Sequence, residues 1–146
     1  MMINKNEIKN QFLNEREKIF NNPESLKDSF KFCVNYSILV EEYIRKIAGS
    51  GYEDFALASG GSFSRRELSP FSDIDLIFIC QNIQGQENRI EELVRDLWDC
   101  GVEVSHTLRE FNDILRFLED RDLPTFTQFF ETRFLLGHKD VYNQWN

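Results

Sequence analysis

The stretch DIDLIFIC, residues 73–80, is a short apolar run that opens on two aspartates. An apolar run of this length, bounded by polar and small residues, is typical of a strand that is buried on both faces. Because alternate side chains of a strand share a face, we expect Asp73 and Asp75 to project side by side. Two neighbouring carboxylates repel each other, and a divalent cation removes that repulsion by binding both. The stretch therefore predicts a strand with a cation site at its beginning.

A cluster of small residues, Ser59–Ser62, lies upstream of this strand and begins at the last residue of the apolar stretch FALAS at 55–59. Glycine at position 61 permits a turn with positive φ and a close approach of the backbone to a ligand, and Ser62 adds a hydroxyl and an N–H group. Arg65 supplies a cationic donor that suits a phosphate group. We therefore expect a phosphate site beside the cation site.

A third carboxylate follows on another predicted strand, because the stretch VEVSHTL at 102–108 alternates apolar and polar residues around Glu103. If the two strands are neighbours, Asp73, Asp75 and Glu103 form a platform for one or two Mg²⁺ or Mn²⁺ ions. Each part alone has a simpler interpretation, namely a solvated turn for the acid pair and a surface position for Glu103. Their order along the chain favours the site.

The rest of the chain is mainly helical in pattern. Predicted helices occupy residues 4–21, a long segment that Ser25 caps and that ends near residue 48, and residues 87–99, 111–118 and 126–134. In the last of these, Arg133 is expected to be a buried partner for Glu131 or for a loop carboxylate. The order of elements predicts an α+β (mixed α/β) domain with a small sheet covered by helices. Residues 1–50 form N-terminal helices that pack on the domain, and residues 51–146 form the sheet-containing part of what we expect to be one unit.

Composition limits the classes of function. The chain has 146 residues, 41% of them hydrophobic, and a net charge of −8, which disfavours non-specific binding to DNA or RNA. No stretch approaches the roughly 20 apolar residues of a membrane span. Three widely spaced cysteines suit reduced thiols, so a cytoplasmic location is expected.

The order strand, Gly-Ser, ten residues and Asp-Ile-Asp-Leu resembles the signature of nucleotidyltransferases of the DNA polymerase beta superfamily. Within that superfamily, SFSRRELSPFSDIDL at 62–76 and WDCGVEVSHTLRE at 98–110 resemble the catalytic region of bacterial PII-protein uridylyltransferases. FFETRFLLGHKDVY at 129–142 resembles the closing helix of that region. Roughly residues 55–142 are covered.

This resemblance implies a mechanism in which Asp73, Asp75 and Glu103 hold two Mg²⁺ ions and a nucleoside triphosphate is attacked at its α-phosphate. Gly61 and Ser62 would hold the β- and γ-phosphates, with Arg65 as a supporting contact. The transferred group would be an NMP, UMP among the candidates, and the acceptor a hydroxyl such as a tyrosine of a PII-like signalling protein. The alternative is a nucleotide-binding regulatory module that performs no transfer, and a third option is a purely structural domain.

The chain departs from the family at three loop positions, where Ser62, Ser64 and Arg66 replace the usual glycines. A bulkier and stiffer loop is expected there. The full uridylyltransferases continue into a phosphohydrolase domain and ligand-sensing domains. If the sequence is complete, removal of the nucleotide and glutamine sensing are not expected in this chain.

Overall fold

The structure is a computed structural model, and it describes residues 4–49, 52, 54–110 and 131–145, together with residues 112, 113, 116, 119–121 and 124. The apolar residues on which the predicted helix at 111–118 rests lie outside the described residues. So do residues 126–130 of the predicted helix that follows.

Four strands form one sheet in the order β3-β2-β1-β4: β1 (Phe55–Gly60), β2 (Ile74–Cys80), β3 (Val104–Glu110) and β4 (Thr132–Gly137). β1 runs antiparallel to both β2 and β4, whereas β2 and β3 are parallel, as a helical crossover between them requires. β1 and β2 lie where the apolar runs predicted them, whereas β3 begins at Val104, two residues later than predicted, and leaves Glu103 outside the strand. The α+β class, with N-terminal helices preceding the sheet, is confirmed.

Six helices lie entirely within the described residues: α1 (Lys5–Phe20), α2 (Pro23–Lys27), α3 (Ser29–Ala48), α4 (Gly61–Ser64), α5 (Glu87–Asp99) and α6 (Lys139–Trp145). The prediction of one long helix capped by Ser25 is wrong, because α2 and α3 are separate. Asp28 interrupts them and caps α3, since its carboxylate accepts a hydrogen bond from the Lys31 N–H at 3.1 Å. No helix among the described residues has the length and apolar character needed to cross a membrane.

The segment around Arg133 is a strand, so the prediction of a helix over 126–134 is wrong for its described end. The aromatic residues there follow a helical spacing, but residues 132–137 satisfy their backbone groups by pairing with β1, where Ala58 faces Phe134. Gly137 has a φ of 97°, and a Cβ there would collide with the carbonyl oxygen of Phe55. This close approach of β4 to β1 requires glycine.

The two faces of the sheet are covered differently. One face packs on α1, α3 and α5 in a core that contains Phe12, Ile44, Phe55, Phe78 and Leu97. The other face carries a smaller cluster of β1 and β2 residues with Val141 of α6. Ile77 belongs to this second cluster, so Asp75, two residues earlier on β2, lies on the face away from the N-terminal helices.

Candidate functional site

A cavity of about 210 Å³ lies where β1 ends and β2 begins. We call it the acid-pair cavity, and its lining residues are Gly60, Gly61, Asp75, Leu76, Ile77, Ser105, Thr107 and Glu131. β1 delivers the glycines and β2 delivers Asp75, because the antiparallel pairing sets Ser59 opposite Leu76. The sequence prediction that the glycine turn and the second aspartate meet is therefore realised in this cavity.

Gly61 lies so close to the carboxylate of Asp75 that any side chain at position 61 would displace it. Its φ is 55°, in the region that L side chains rarely adopt, and a Cβ would lie 2.8 Å from Asp75 Oδ2. Gly60 is less constrained, since a Cβ there would meet the Cδ1 of Ile77 at 3.1 Å. The glycine turn thus opens the space beside the Asp75 carboxylate.

Asp73 and Asp75 form the acid pair. Asp75 is half-buried and Asp73 is exposed just before β2 begins. Burial raises the pKa of the Asp75 carboxyl above its ordinary value, and the negative charge of Asp73 raises it further. The two carboxylates therefore repel each other, and a bound cation would remove this repulsion.

Glu103, the predicted third ligand, lies elsewhere. The register pairs Asp75 with Ser105 and Ile74 with Val104, so Glu103 precedes β3 and the residue of β3 that lines the acid-pair cavity beside Asp75 is Ser105. Glu103 lines a separate cavity that includes Arg16 and Tyr36. Within the described ranges, no three His, Cys, Asp or Glu side chains are placed together so as to hold a metal ion. The predicted three-carboxylate platform stays a prediction that this geometry does not support.

The predicted phosphate-binding residues follow Gly61 directly. Ser62 is half-buried in α4, next to the cavity glycines. Arg65 donates to Glu67 at 3.1 Å and to Glu131 at 2.6 Å, and these two carboxylates raise the pKa of its guanidinium. Because Glu131 lines the acid-pair cavity, Arg65 is held at its rim. A phosphate that bound Arg65 would compete with Glu131 for it.

A buried ion-pair network supports this loop, and the sequence analysis missed its acidic member. Glu41 on α3 is 4% exposed and accepts from Arg133 at 2.6 Å and from Arg45 at 2.7 Å. Arg133 also donates to the carbonyls of Ser64 at 3.2 Å and Phe63 at 3.4 Å. The expected partner of Arg133 was Glu131 or a loop carboxylate, and the structure corrects this to a helix carboxylate. The signal was present in the sequence, since Glu41 stands within the apolar pattern of α3.

Arg66 shows how the loop accommodates a departure from the family. Its φ is 57°, a conformation that glycine adopts without strain, and its Nε lies 3.8 Å from Glu41 Oε2. The arginine therefore keeps the glycine-like backbone turn and extends the ion-pair network. At this position the loop adopts a backbone conformation that glycine favours, at the cost of some local strain for an arginine.

The donor set suits one type of metal site. Mg²⁺ commonly binds through one or two protein carboxylates, with substrate phosphates and waters completing its octahedron. Asp73 and Asp75 provide two carboxylates, and the adjoining glycine turn leaves room for phosphates. Two carboxylates are enough to bind a Mg²⁺ ion that also coordinates the phosphates of a nucleotide, but too few to coordinate a Mg²⁺ ion with protein groups alone.

A glycine turn at the end of one strand, facing an acid pair at the start of the next, is the arrangement typical of nucleotidyltransferases. Comparison with curated proteins agrees with this class. The chain is similar to bifunctional uridylyltransferase/uridylyl-removing enzymes of three bacteria: a Bradyrhizobium species (strain ORS 278), 33% identical over 111 residues, Haemophilus influenzae (strain Rd), 30% over 117 residues, and Photobacterium profundum, 36% over 93 residues. These alignments cover 75%, 77% and 62% of this chain, respectively.

The chain thus contains a region related to the uridylyltransferases, and the predicted resemblance is confirmed. It spans only 12%, 13% and 10% of the length of these relatives. No family model and no solved structure matches it.

Proposed function

We propose that this chain transfers an NMP, UMP in the first instance, from a nucleoside triphosphate to a hydroxyl acceptor with Mg²⁺ or Mn²⁺ as cofactor. The observation that carries the proposal is that Gly61 and Asp75 line one cavity and lie so close that a Cβ at position 61 would meet the Asp75 carboxylate, so that a glycine turn suited to phosphate adjoins the acid pair. The uridylyltransferase relatives supply the choice of UMP, and a tyrosine hydroxyl of a PII-like signalling protein is the proposed acceptor.

The proposed reaction is a single displacement at phosphorus. The acceptor oxygen forms a bond to the α-phosphorus, the bond from that phosphorus to the bridging oxygen of the β-phosphate breaks, and pyrophosphate leaves. The proton of the acceptor hydroxyl passes to a base or to water. A bound Mg²⁺ supplies charge neutralisation on the phosphate oxygens during this step.

The residues of the chain bind and orient the substrate. Asp73 and Asp75 would hold the metal, and Asp75 lies on the face of the sheet away from the N-terminal helices. Gly61 and Ser62 offer backbone N–H groups and a hydroxyl to the β- and γ-phosphates, as preorganised donors do in other phosphoryl-transfer sites. Arg65 releases Glu131 and contacts the triphosphate, because a phosphate carries more negative charge than the carboxylate it replaces.

Substitution of the acid pair tests the proposal. Asp73→Asn and Asp75→Asn remove one charge each and retain the shape of the side chain. We expect both variants to lose transfer of labelled UMP by about a hundredfold or more. They should also lose the thermal stabilisation that UTP with Mg²⁺ gives to the wild-type chain, a readout that does not depend on turnover.

Asp54→Asn is the matched control. Asp54 is exposed, pairs with Arg89 at 3.3 Å and lies before the other end of β1, about 20 Å from the glycine turn. Its substitution should leave transfer unchanged. Undiminished transfer by Asp75→Asn would refute the proposed function, and nucleotide binding without any transfer to an acceptor would identify the regulatory module instead.

A further inference from the structure

The acid-pair cavity has one wall that the proposed function leaves unused. Ser105 and Thr107 of β3 line this wall, and we call them the hydroxyl pair. The parallel register sets Ser105 beside Asp75 and Thr107 beside Ile77, so the hydroxyl pair shares the face of the sheet that carries the cavity. Ser105 is exposed and Thr107 is half-buried, so a ligand in the cavity can reach both side chains.

The order of the strands places the hydroxyl pair across the cavity from the glycine turn. β2 lies between β1, which ends at Gly60 and leads into Gly61, and β3, which carries the hydroxyl pair. Neighbouring strands lie about 4.8 Å apart, so about 10 Å separates the outer two. A single phosphoryl group held at Asp75 therefore fits between the glycine turn and the hydroxyl pair.

The geometry of phosphoryl transfer assigns a direction to the acceptor. The attacking and leaving oxygens lie on opposite sides of the phosphorus, roughly in line. In the proposed function the β- and γ-phosphates occupy the glycine turn, so pyrophosphate leaves toward β1. The acceptor oxygen must then approach from the opposite side, which is the side of β3 and the hydroxyl pair.

The hydroxyl pair has the chemistry needed to orient an acceptor hydroxyl. The hydroxyl group of a serine or threonine donates one hydrogen bond and accepts through two lone pairs. Among the residues that the structure describes, no side-chain hydrogen bond engages Ser105 or Thr107, so both hydroxyls are available to a ligand. An acceptor O–H that donates to one of them keeps a lone pair of its own for attack on phosphorus, and its proton then passes to a base or to water.

The neighbouring residues of the cavity limit the class of acceptor. Ile77, which is 8% exposed, gives the cavity an apolar floor beside Thr107. The carboxylates of Asp75 and Glu131 also line the cavity, and they disfavour an anionic acceptor. An uncharged hydroxyl on an apolar group, such as that of a tyrosine, meets both conditions.

We infer that Ser105 and Thr107 bind the acceptor hydroxyl and direct its oxygen at the α-phosphorus. This inference rests on the proposed function and adds the acceptor side of the same site. The three strands then have distinct tasks. The end of β1 receives the leaving pyrophosphate, the start of β2 holds the metal, and β3 binds the acceptor.

Transfer of labelled UMP to a purified, unmodified bacterial PII protein tests the inference on the full chain. Ser105→Ala and Thr107→Val each remove one hydroxyl and change the side-chain volume little. Each should lower kcat/KM for the PII protein about three- to tenfold, the amount that loss of one hydrogen bond implies. The affinity for UTP with Mg²⁺, measured by isothermal titration calorimetry, should stay unchanged, because the hydroxyl pair binds the acceptor and not the nucleotide.

Two further variants make the loss specific to the hydroxyl groups. Thr107→Ser keeps a hydroxyl at the same position and should restore most of the transfer that Thr107→Val loses. Ser29→Ala makes the same chemical change as Ser105→Ala at an exposed position of α3 that does not line the acid-pair cavity. Its transfer rate should equal that of the wild-type chain.

The outcomes separate this inference from the proposed function. If the wild-type chain transfers UMP and the double variant Ser105→Ala/Thr107→Val transfers it equally well, the inference is wrong and the proposed function stands. A fall in UTP affinity that matches the fall in transfer would place the hydroxyl pair at the nucleotide and overturn the acceptor assignment. A wild-type chain that transfers no UMP would refute the proposed function and this inference with it.

Discussion

Replacement of Gly61 by alanine probes the contact on which the proposed site depends. Two costs follow from the structure. An alanine at a φ of 55° costs about 1–2 kcal/mol of left-handed backbone strain. A Cβ placed 2.8 Å from Asp75 Oδ2 forces the carboxylate to move, which adds about 1 kcal/mol, typical of mild overpacking. We expect a loss of about 2–3 kcal/mol in the free energy of unfolding, or a melting temperature lowered by roughly 4–12 °C for a chain of this size.

Gly85→Ala separates the two costs. Gly85 also has a positive φ, 92°, but a Cβ there meets no atom within 4 Å. This control therefore carries the backbone strain without the collision, and chemical denaturation of both variants measures the difference. In transfer assays Gly61→Ala should lose about a hundredfold, as a displacement of about 1 Å in a reacting group does, whereas Gly85→Ala should retain wild-type activity.

A double-mutant cycle completes the test. In an Asp75→Ala background the collision partner is gone, so Gly61→Ala should cost only its strain. Equal destabilisation by Gly61→Ala and Gly85→Ala, with transfer unaffected in both, would refute the argument that the glycine turn and the acid pair form one site.

Three further predictions follow from the charges around the site. Asp75→Asn should raise the melting temperature at pH 7 while abolishing transfer, because the pKa of Asp75 is raised in the folded state. The stabilising contribution of Asp75 is therefore present below its ordinary pKa of 3.8 and is lost as the pH rises through its folded-state pKa, so the gain over wild type should vanish near pH 3. In a urea titration, Arg133→Met should lower the free energy of unfolding by about 3 kcal/mol because it removes a partner from buried Glu41. Arg89→Met, which removes an exposed ion pair, should cost about 1 kcal/mol or less in the same measurement. Arg66→Gly should leave stability unchanged or raise it by up to about 1 kcal/mol in that titration, since relief of left-handed strain offsets the loss of a weak contact at 3.8 Å; a clear loss would show that the contact to Glu41 dominates.

The local features of the fold were predictable from the sequence. The strand at 74–80 and the helix at 87–99 lie where their apolar patterns indicated, because a buried strand and an amphipathic helix leave distinct periodicities. The glycine turn and Asp75 also met as predicted, since the two strands that carry them are consecutive and pair directly.

Features set by distant pairing were not predictable. The aromatic spacing up to Phe134 imitates a helix, and only the hydrogen bonds to β1, more than 70 residues away, make residues 132–137 a strand. The position of Glu103 depends on the register between β2 and β3, which the sequence does not state. A register that pairs Asp75 with Ser105 leaves Glu103 ahead of the strand, where it borders Arg16 and Tyr36.

The ion pair between Glu41 and Arg133 also bears on how such a region can be inherited. A gene rearrangement that moved residues 51–146 alone would move Arg133 without its partner Glu41. It would also leave one apolar face of the sheet without the N-terminal helices that cover it. Both losses oppose folding in the new host, because a half-buried cation without its partner and exposed core side chains each cost free energy. We therefore expect residues 51–146 to fold poorly without the N-terminal helices that supply Glu41 and cover the sheet.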